Sequence, residues 1–144
     1  MAKQITTFIP NVPGALANFC RILKENEIDM RAMNVGDAMD FGIVRVIVNN
    51  TEKAVQMLQS RKFVCQVQDV LVIEVEDHPG ALVDLLEALG AAGVNLNYTY
   101  ALFSRSEGKA AFVIKTENRE AAEKALEEAG IRTLTDEELV TPFS

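Results

Sequence analysis

The chain is short of the residues that carry acid–base, nucleophilic and metal chemistry. It has one histidine, His78, and two cysteines, Cys20 and Cys65, with no CxxC pair. A metal centre or catalytic triad would have to be assembled around that lone histidine, a residue type more often found as a polar turn group. No catalytic residue, metal or cofactor is therefore expected. The cysteines lie far apart and read as buried free thiols of a reducing compartment, a disulfide being the lesser alternative. Basic residues are scarce too: 14 Lys and Arg against 21 Asp and Glu leave a net charge of −7. Nucleic-acid binding depends on cations neutralising phosphates, so no nucleic-acid partner is expected. The acidity is spread along helices and turns, as a solvated surface would be. No apolar stretch is long enough to cross a bilayer, and no basic N-terminal segment leads into an apolar run. A soluble, cytoplasmic protein without a membrane partner is the expectation.

What the chain has instead is a repeat. "IPNVPGALANF" (9–19) returns as "VEDHPGALVDL" (75–85), so that Asn11, Pro13, Gly14, Ala15 and Leu16 face Asp77, Pro79, Gly80, Ala81 and Leu82, each 66 residues on. Leu23 then meets Leu89, "EIDMR" (27–31) meets "GVNLN" (93–97), and Gly42 is matched with Gly108. Later the offset becomes 68, with Leu58 meeting Leu126 and Phe63 meeting Ile131, which suggests a two-residue insertion near Glu117–Asn118. Self-similarity at a fixed period marks a duplicated structural unit. The 144 residues, 49% hydrophobic and 24% charged, suffice for two small globular domains, at 1–68 and 69–144.

Each half reads as strand, helix, strand, strand, helix, strand. "QITTFI" (4–9) and "VLVIEV" (70–75) are β-branched apolar runs. Asn-x-Pro-Gly and Asp-x-Pro-Gly then open helices, with proline expected in the first turn, where its missing N–H is no loss. Ala15, Leu16, Phe19, Ile22 and Leu23 form an apolar stripe at helical spacing, as do Ala81, Leu82, Leu85, Leu86 and Leu89. The glycines of "GAAGVN" (90–95) stop the second of these helices; the first ends at 24–27 without one. Strands are expected at 30–35 and 96–102, then at 43–48 and 110–114, with Gly42 and Gly108 supplying unusual backbone angles between them. Helices at 52–61 and 119–129 and short strands at 63–67 and 131–134 complete the halves. This is the ferredoxin-like βαββαβ unit, an α+β fold with an antiparallel sheet and both helices packed on one face. The tail opens with a capping box, Thr135 to Glu138, for one further helical turn.

Several chemistries of this fold find no support in the residues. "DFG" (40–42) lacks the other kinase segments and reads as a turn before a strand. A metal-carrying version would place CxxC in the first strand–helix turn, and a phosphate-cradling enzyme would place an arginine there; neither copy does. Tyr98 and Tyr100 share a parity and read as one buried sheet face with hydroxyls at its edge. Met30, Met33, Met39 and Met57 read as core fillers.

The repeated turn has a use without catalysis. A helix N-terminus leaves backbone N–H groups unpaired and carries partial positive charge. Gly14, Ala15 and Leu16, and likewise Gly80, Ala81 and Leu82, can thus meet a carboxylate, the glycine permitting close approach. Asn11 and Asp77 stand beside those donors, and a second polar pair, Asp29 and Asn95, is expected at the same end of each unit. Carboxylate, carboxamide and helix N-terminus together suit a zwitterion such as a free α-amino acid. The alternative is that Asn11 and Asp77 only cap their helices.

These motifs, with "VGDAMDFGIVRVIV" (35–48), "GVNLNYTYALF" (93–103) and "DEEL" (136–139), resemble a tandem ACT-domain protein of the stand-alone prokaryotic kind, over roughly residues 3–140. The resemblance implies two ACT units that pair side by side, a homodimer, and a free amino acid or related metabolite bound at the seam between units. Carried over, the site positions are Asn11, Val12, Gly14, Ala15, Leu16, Asp29 and Met30 in the first half. In the second they are Asp77, His78, Gly80, Ala81, Leu82, Asn95 and Leu96. The halves differ in charge: if a site uses one half's turn and the other half's strand, Asn11 with Asn95 would suit a neutral or acidic ligand and Asp77 with Asp29 an ammonium-rich one. The expected function is that of a non-catalytic sensor reporting to a metabolic enzyme of amino-acid metabolism. The alternative is a regulatory subunit or protein–protein interaction module with no ligand of its own.

Overall fold

The computed structural model describes residues 2–103 and 107–140, so the end of the tail read above, 141–144, lies outside the described residues. The chain forms two compact units: residues 3–69 with 139–140, and residues 70–138 with Ala2.

The first unit comprises β1 (Ala2–Pro10), α1 (Ala15–Glu25), β2 (Met30–Ala38), β3 (Phe41–Val48), α2 (Thr51–Ser60) and the start of β4 (Cys65–Glu76). Its strand order is β4-β1-β3-β2, with β3 antiparallel to both β1 and β2. The second unit comprises the rest of β4, α3 (Ala81–Ala91), β5 (Tyr98–Ala101), β6 (Lys109–Lys115), α4 (Arg119–Glu128) and β7 (Arg132–Thr133). Its order, β7-β4-β6-β5, repeats the first, and its pairs are antiparallel. Both are ferredoxin-like α+β units. The strands expected at 63–67 and 70–75 are one strand, because no glycine or proline interrupts Cys65–Glu76.

Period-two apolar residues face helices of period 3.6, which sets each core. In the first unit Phe19, Leu23 and Leu58 pack on Ile5, Val44 and Val46. In the second Leu85, Leu89 and Leu126 pack on Leu71, Ile73 and Ile114. Met30, Met33 and Met57 are fillers of the first core, whereas Met39 is 88% exposed at a hairpin tip. Cys20 and Cys65 are free and half-buried against that same core. The Tyr98 and Tyr100 rings stack at 6.3 Å. Thr135 and Glu138 form the reciprocal capping box of α5 (Asp136–Val140), at 3.0 Å and 3.2 Å.

Local chemistry corrects several boundaries. Pro13 and Pro79 precede their helices, whose N-caps are Gly14 and Gly80. Gly90 lies within α3, and Gly93, at φ 72°, makes its exit, with Val94 N–H reaching the Leu89 carbonyl at 2.9 Å. Its twin Glu27 does the same at φ 57°. Ile5 pairs Val46 where Leu71 pairs Ile114, and Val35 pairs Val44 where Ala101 pairs Phe112. The offset is thus 66 on β1 and β2 but already 68 on β3, so the two extra residues fall between Ala101 and Phe112, not near Glu117. Gly42 consequently matches Ala110, not Gly108. Gly108 has φ 78°, whereas the positive angle of the first hairpin falls on Met39, at φ 61°. Gly42 serves space instead, since a Cβ there would lie 3.3 Å from Ile9 Cγ1.

Candidate functional site

Both copies of the motif fold into the same turn. Ala15 N–H bonds the Val12 carbonyl at 3.3 Å and Ala81 N–H bonds the His78 carbonyl at 3.1 Å. Gly14 (φ 84°, ψ −9°) and Gly80 (φ 86°, ψ −2°) hold the left-handed third position of a type II turn, after a proline pre-set for the second. The helix ladder begins with Asn18 N–H to the Gly14 carbonyl at 3.0 Å. Ala15 N–H is therefore spent on the turn, and the N–H groups of Leu16 and Ala17 are left without an intrahelical partner.

Neither Asn11 nor Asp77 caps its helix, because the cap position is a glycine and no side chain bonds there. Asn11 instead ties the turn to the β2–β3 hairpin. Its N–H bonds the Asp40 carbonyl at 3.3 Å, and its Nδ2 donates to Asp37 Oδ1 at 3.2 Å and to the Met39 carbonyl at 3.4 Å. In the second unit Asp77 N–H reaches the Gly108 carbonyl at 2.9 Å. His78 is exposed, with Nδ1 2.9 Å from the Pro79 carbonyl.

The polar pairs expected to share one end of each unit are parted. β1 rises to the turn, α1 descends, and β2 starts at the far end. Pro10 and Ala38 both pair with Phe41, while Met30 pairs with Val48 at the other end of β3, a strand length of about 25 Å away. At that end Asp29 N–H bonds Asn49 Oδ1 at 3.0 Å, and the Asp29 carboxylate is ion-paired with Arg31. The Asn95 carbonyl accepts from Thr116 Oγ1 at 2.8 Å, likewise away from Asp77. Met30 and Leu96 pack against the two cores. Within a unit, the neighbour of the turn is the end of β2, not its beginning.

A pocket of about 270 Å³ lies there in the first unit. Asn11, Val12, Ala15 and Leu16 of the expected set line it, joined by Ile9, Val35, Gly36, Asp37 and Gly42, none of which the sequence placed in a site. The signal lay in the antiparallel βαββαβ order already expected, which sends residues 35–37 back to the turn. The second unit has a different pocket, of about 380 Å³, on the side of β7. Ala81 and His78 line it with Glu74, Glu76, Asp84, Lys109 and Arg132. Arg132 pairs with Glu74 at 3.0 Å, and Lys109 pairs with Glu76. The matched first-unit positions Phe8, Val12, Phe41 and Val64 are apolar and exposed, so the two turns sit in unlike surroundings. Among the described residues no group of three or more acidic, Cys or His side chains is placed to hold a metal. Among them, too, no helix is long and apolar enough to cross a membrane.

A family model described as an ACT domain pair matches residues 1–142. A search of curated proteins finds no match. Among solved structures, protein BT0572 from Bacteroides thetaiotaomicron is similar at 31% identity and TM-score 0.90, over 98% of this chain and 96% of that one. The ligand-free regulatory subunit of aspartate kinase from Thermus thermophilus is similar at 20% identity and TM-score 0.66, over 88% and 91%. The regulatory subunit from Thermus flavus is similar at 19% and 0.61, over 89% and 92%. At these last two identities the likeness is one of fold.

Proposed function

We propose that this chain, which belongs to the ACT domain pair family, is a non-catalytic regulatory protein that senses a free amino acid. The observation that carries the reading is the Pro-Gly turn of the first unit. It leaves the Leu16 and Ala17 N–H groups without an intrahelical partner at a helix start, and Leu16 lines a pocket of about 270 Å³ that Asp37 lines too. That volume lies just below the usual range of ligand pockets, about 300–1,000 Å³, and fits a ligand the size of an amino acid. N–H groups receive the carboxylate of an amino acid, and Asp37 receives its ammonium.

Binding would favour one packing of ACT units over another, by no more than the ligand's differential affinity for the two states. The chain would act as a cytoplasmic homodimer and pass its state to a metabolic enzyme. The edge strands β2 and β5, which end the strand order of their units, support self-association, because edges leave backbone groups to be paired. The second reading is a regulatory subunit without a ligand. Its subunit role, though not the lack of a ligand, is supported by the fold shared with the aspartate kinase regulatory subunits.

Thermal unfolding of the ligand-stripped protein against the twenty amino acids separates the two. A ligand that binds only the native state at a hundred times its Kd adds ~2.7 kcal/mol, a rise of several degrees in Tm. A flat panel removes the sensor reading and leaves the subunit.

A further inference from the structure

We infer that the first unit's pocket selects an α-amino acid with an uncharged aliphatic side chain, an assignment that rests on the sensor reading above. Of the ten residues lining the pocket, Asp37 alone is charged. Ile9, Val12, Leu16 and Val35 are its larger apolar walls. Val12 and Val35 are 59% and 41% exposed, so their apolar surface is open to an apolar ligand group, whose contact would remove it from water.

Charge balance decides the class. The ammonium of the ligand uses Asp37, held in place by Asn11 Nδ2 at 3.2 Å. An acidic side chain would enter a pocket with no cationic side chain to meet it, and desolvation of an unpaired charge is costly. A basic side chain would compete with the ligand's own ammonium for the single carboxylate. Gly42 and Ile9 both line the pocket, and a Cβ at Gly42 would press on Ile9 at 3.3 Å. The second unit does not share these walls: Val12 is matched by His78, and the pocket around His78 carries charges of both signs.

Calorimetric titration with leucine, valine, aspartate and lysine tests the assignment on the full chain. Leucine and valine are expected to bind about tenfold or more tightly than aspartate or lysine. Val12→Thr and Val35→Thr keep the volume and add a hydroxyl, and each should weaken leucine about tenfold. Asp37→Asn should weaken every amino acid about tenfold or more by removing the charged acceptor. Unfolding of each variant without ligand shows that it is folded. Aspartate or lysine binding as tightly as leucine, or leucine binding untouched by both threonine variants, would overturn the assignment and leave the sensor reading standing. Absence of binding by any of the twenty amino acids would remove both.

Discussion

Asn11 Nδ2 donates to Asp37 Oδ1 at 3.2 Å, joining the first strand–helix turn to the far end of β2. The twin of Asn11 is Asp77, so Asn11→Asp makes the first turn copy the second while setting two carboxylates against each other. The variant should lose about 2–4 °C in Tm at pH 7, both groups being solvent-exposed and screened. Repulsion holds the introduced carboxyl above its unfolded pKa, so the penalty appears as pH rises through about 4 and vanishes below it. Tm measured from pH 3 to pH 8, and again in high salt, should show the two proteins converging at low pH and at high ionic strength.

The helix exits offer a matched comparison. Glu27 (φ 57°) and Lys62 (φ 70°) occupy the left-handed positions that Gly93 (φ 72°) and Gly130 (φ 70°) fill in the second unit. A side chain there is strained, and glycine is not. Glu27→Gly and Lys62→Gly should each stabilise by about 0.5–1 kcal/mol, and Gly93→Ala and Gly130→Ala should each cost about 1 kcal/mol. Urea midpoints at unchanged m-value are the readout.

Gly14 and Gly80 have open space where a Cβ would stand, with nothing within 4 Å, so replacement meets only the backbone angle. Gly14→Ala and Gly80→Ala should each lose about 1 kcal/mol. If the first pocket is the sensor site, amino-acid affinity should fall with Gly14→Ala and stay unchanged with Gly80→Ala. Equal loss in both would move the site.

Burial pushes the Cys20 and Cys65 thiols above their ordinary value of about 9, a hydrogen bond from Thr7 partly offsetting the shift at Cys65. Both should react with a disulfide reagent at pH 8 about tenfold or more slowly than in the unfolded chain. The unfolded thiols release protons first, so stability should decline as pH climbs past about 9. Replacing both by serine should flatten that decline relative to the parent, as read by Tm between pH 8 and pH 10.

Much of this was legible from short segments. The Pro-Gly turns, the capping box at Thr135, the helical stripes and the order of elements follow from local backbone chemistry and periodicity, which act over a few residues. The same locality explains the slips. Spacing cannot tell Gly90, inside α3, from Gly93, at its exit, nor place an insertion between Ala101 and Phe112 when matched side chains on both sides still fit.

Two ferredoxin-like units, each with a glycine-dependent turn that opens a helix, follow from φ preferences and apolar spacing, which act along the chain alone. Tertiary structure decided which residues meet at the turn. An antiparallel sheet returns the end of β2, not its start, to the end of β1, so Asp37 joins Asn11 while Asp29 pairs with Arg31 at the opposite end. The direction of β2 already follows from the βαββαβ order, whereas the register that sets Asp37 against Asn11 comes only from the folded sheet.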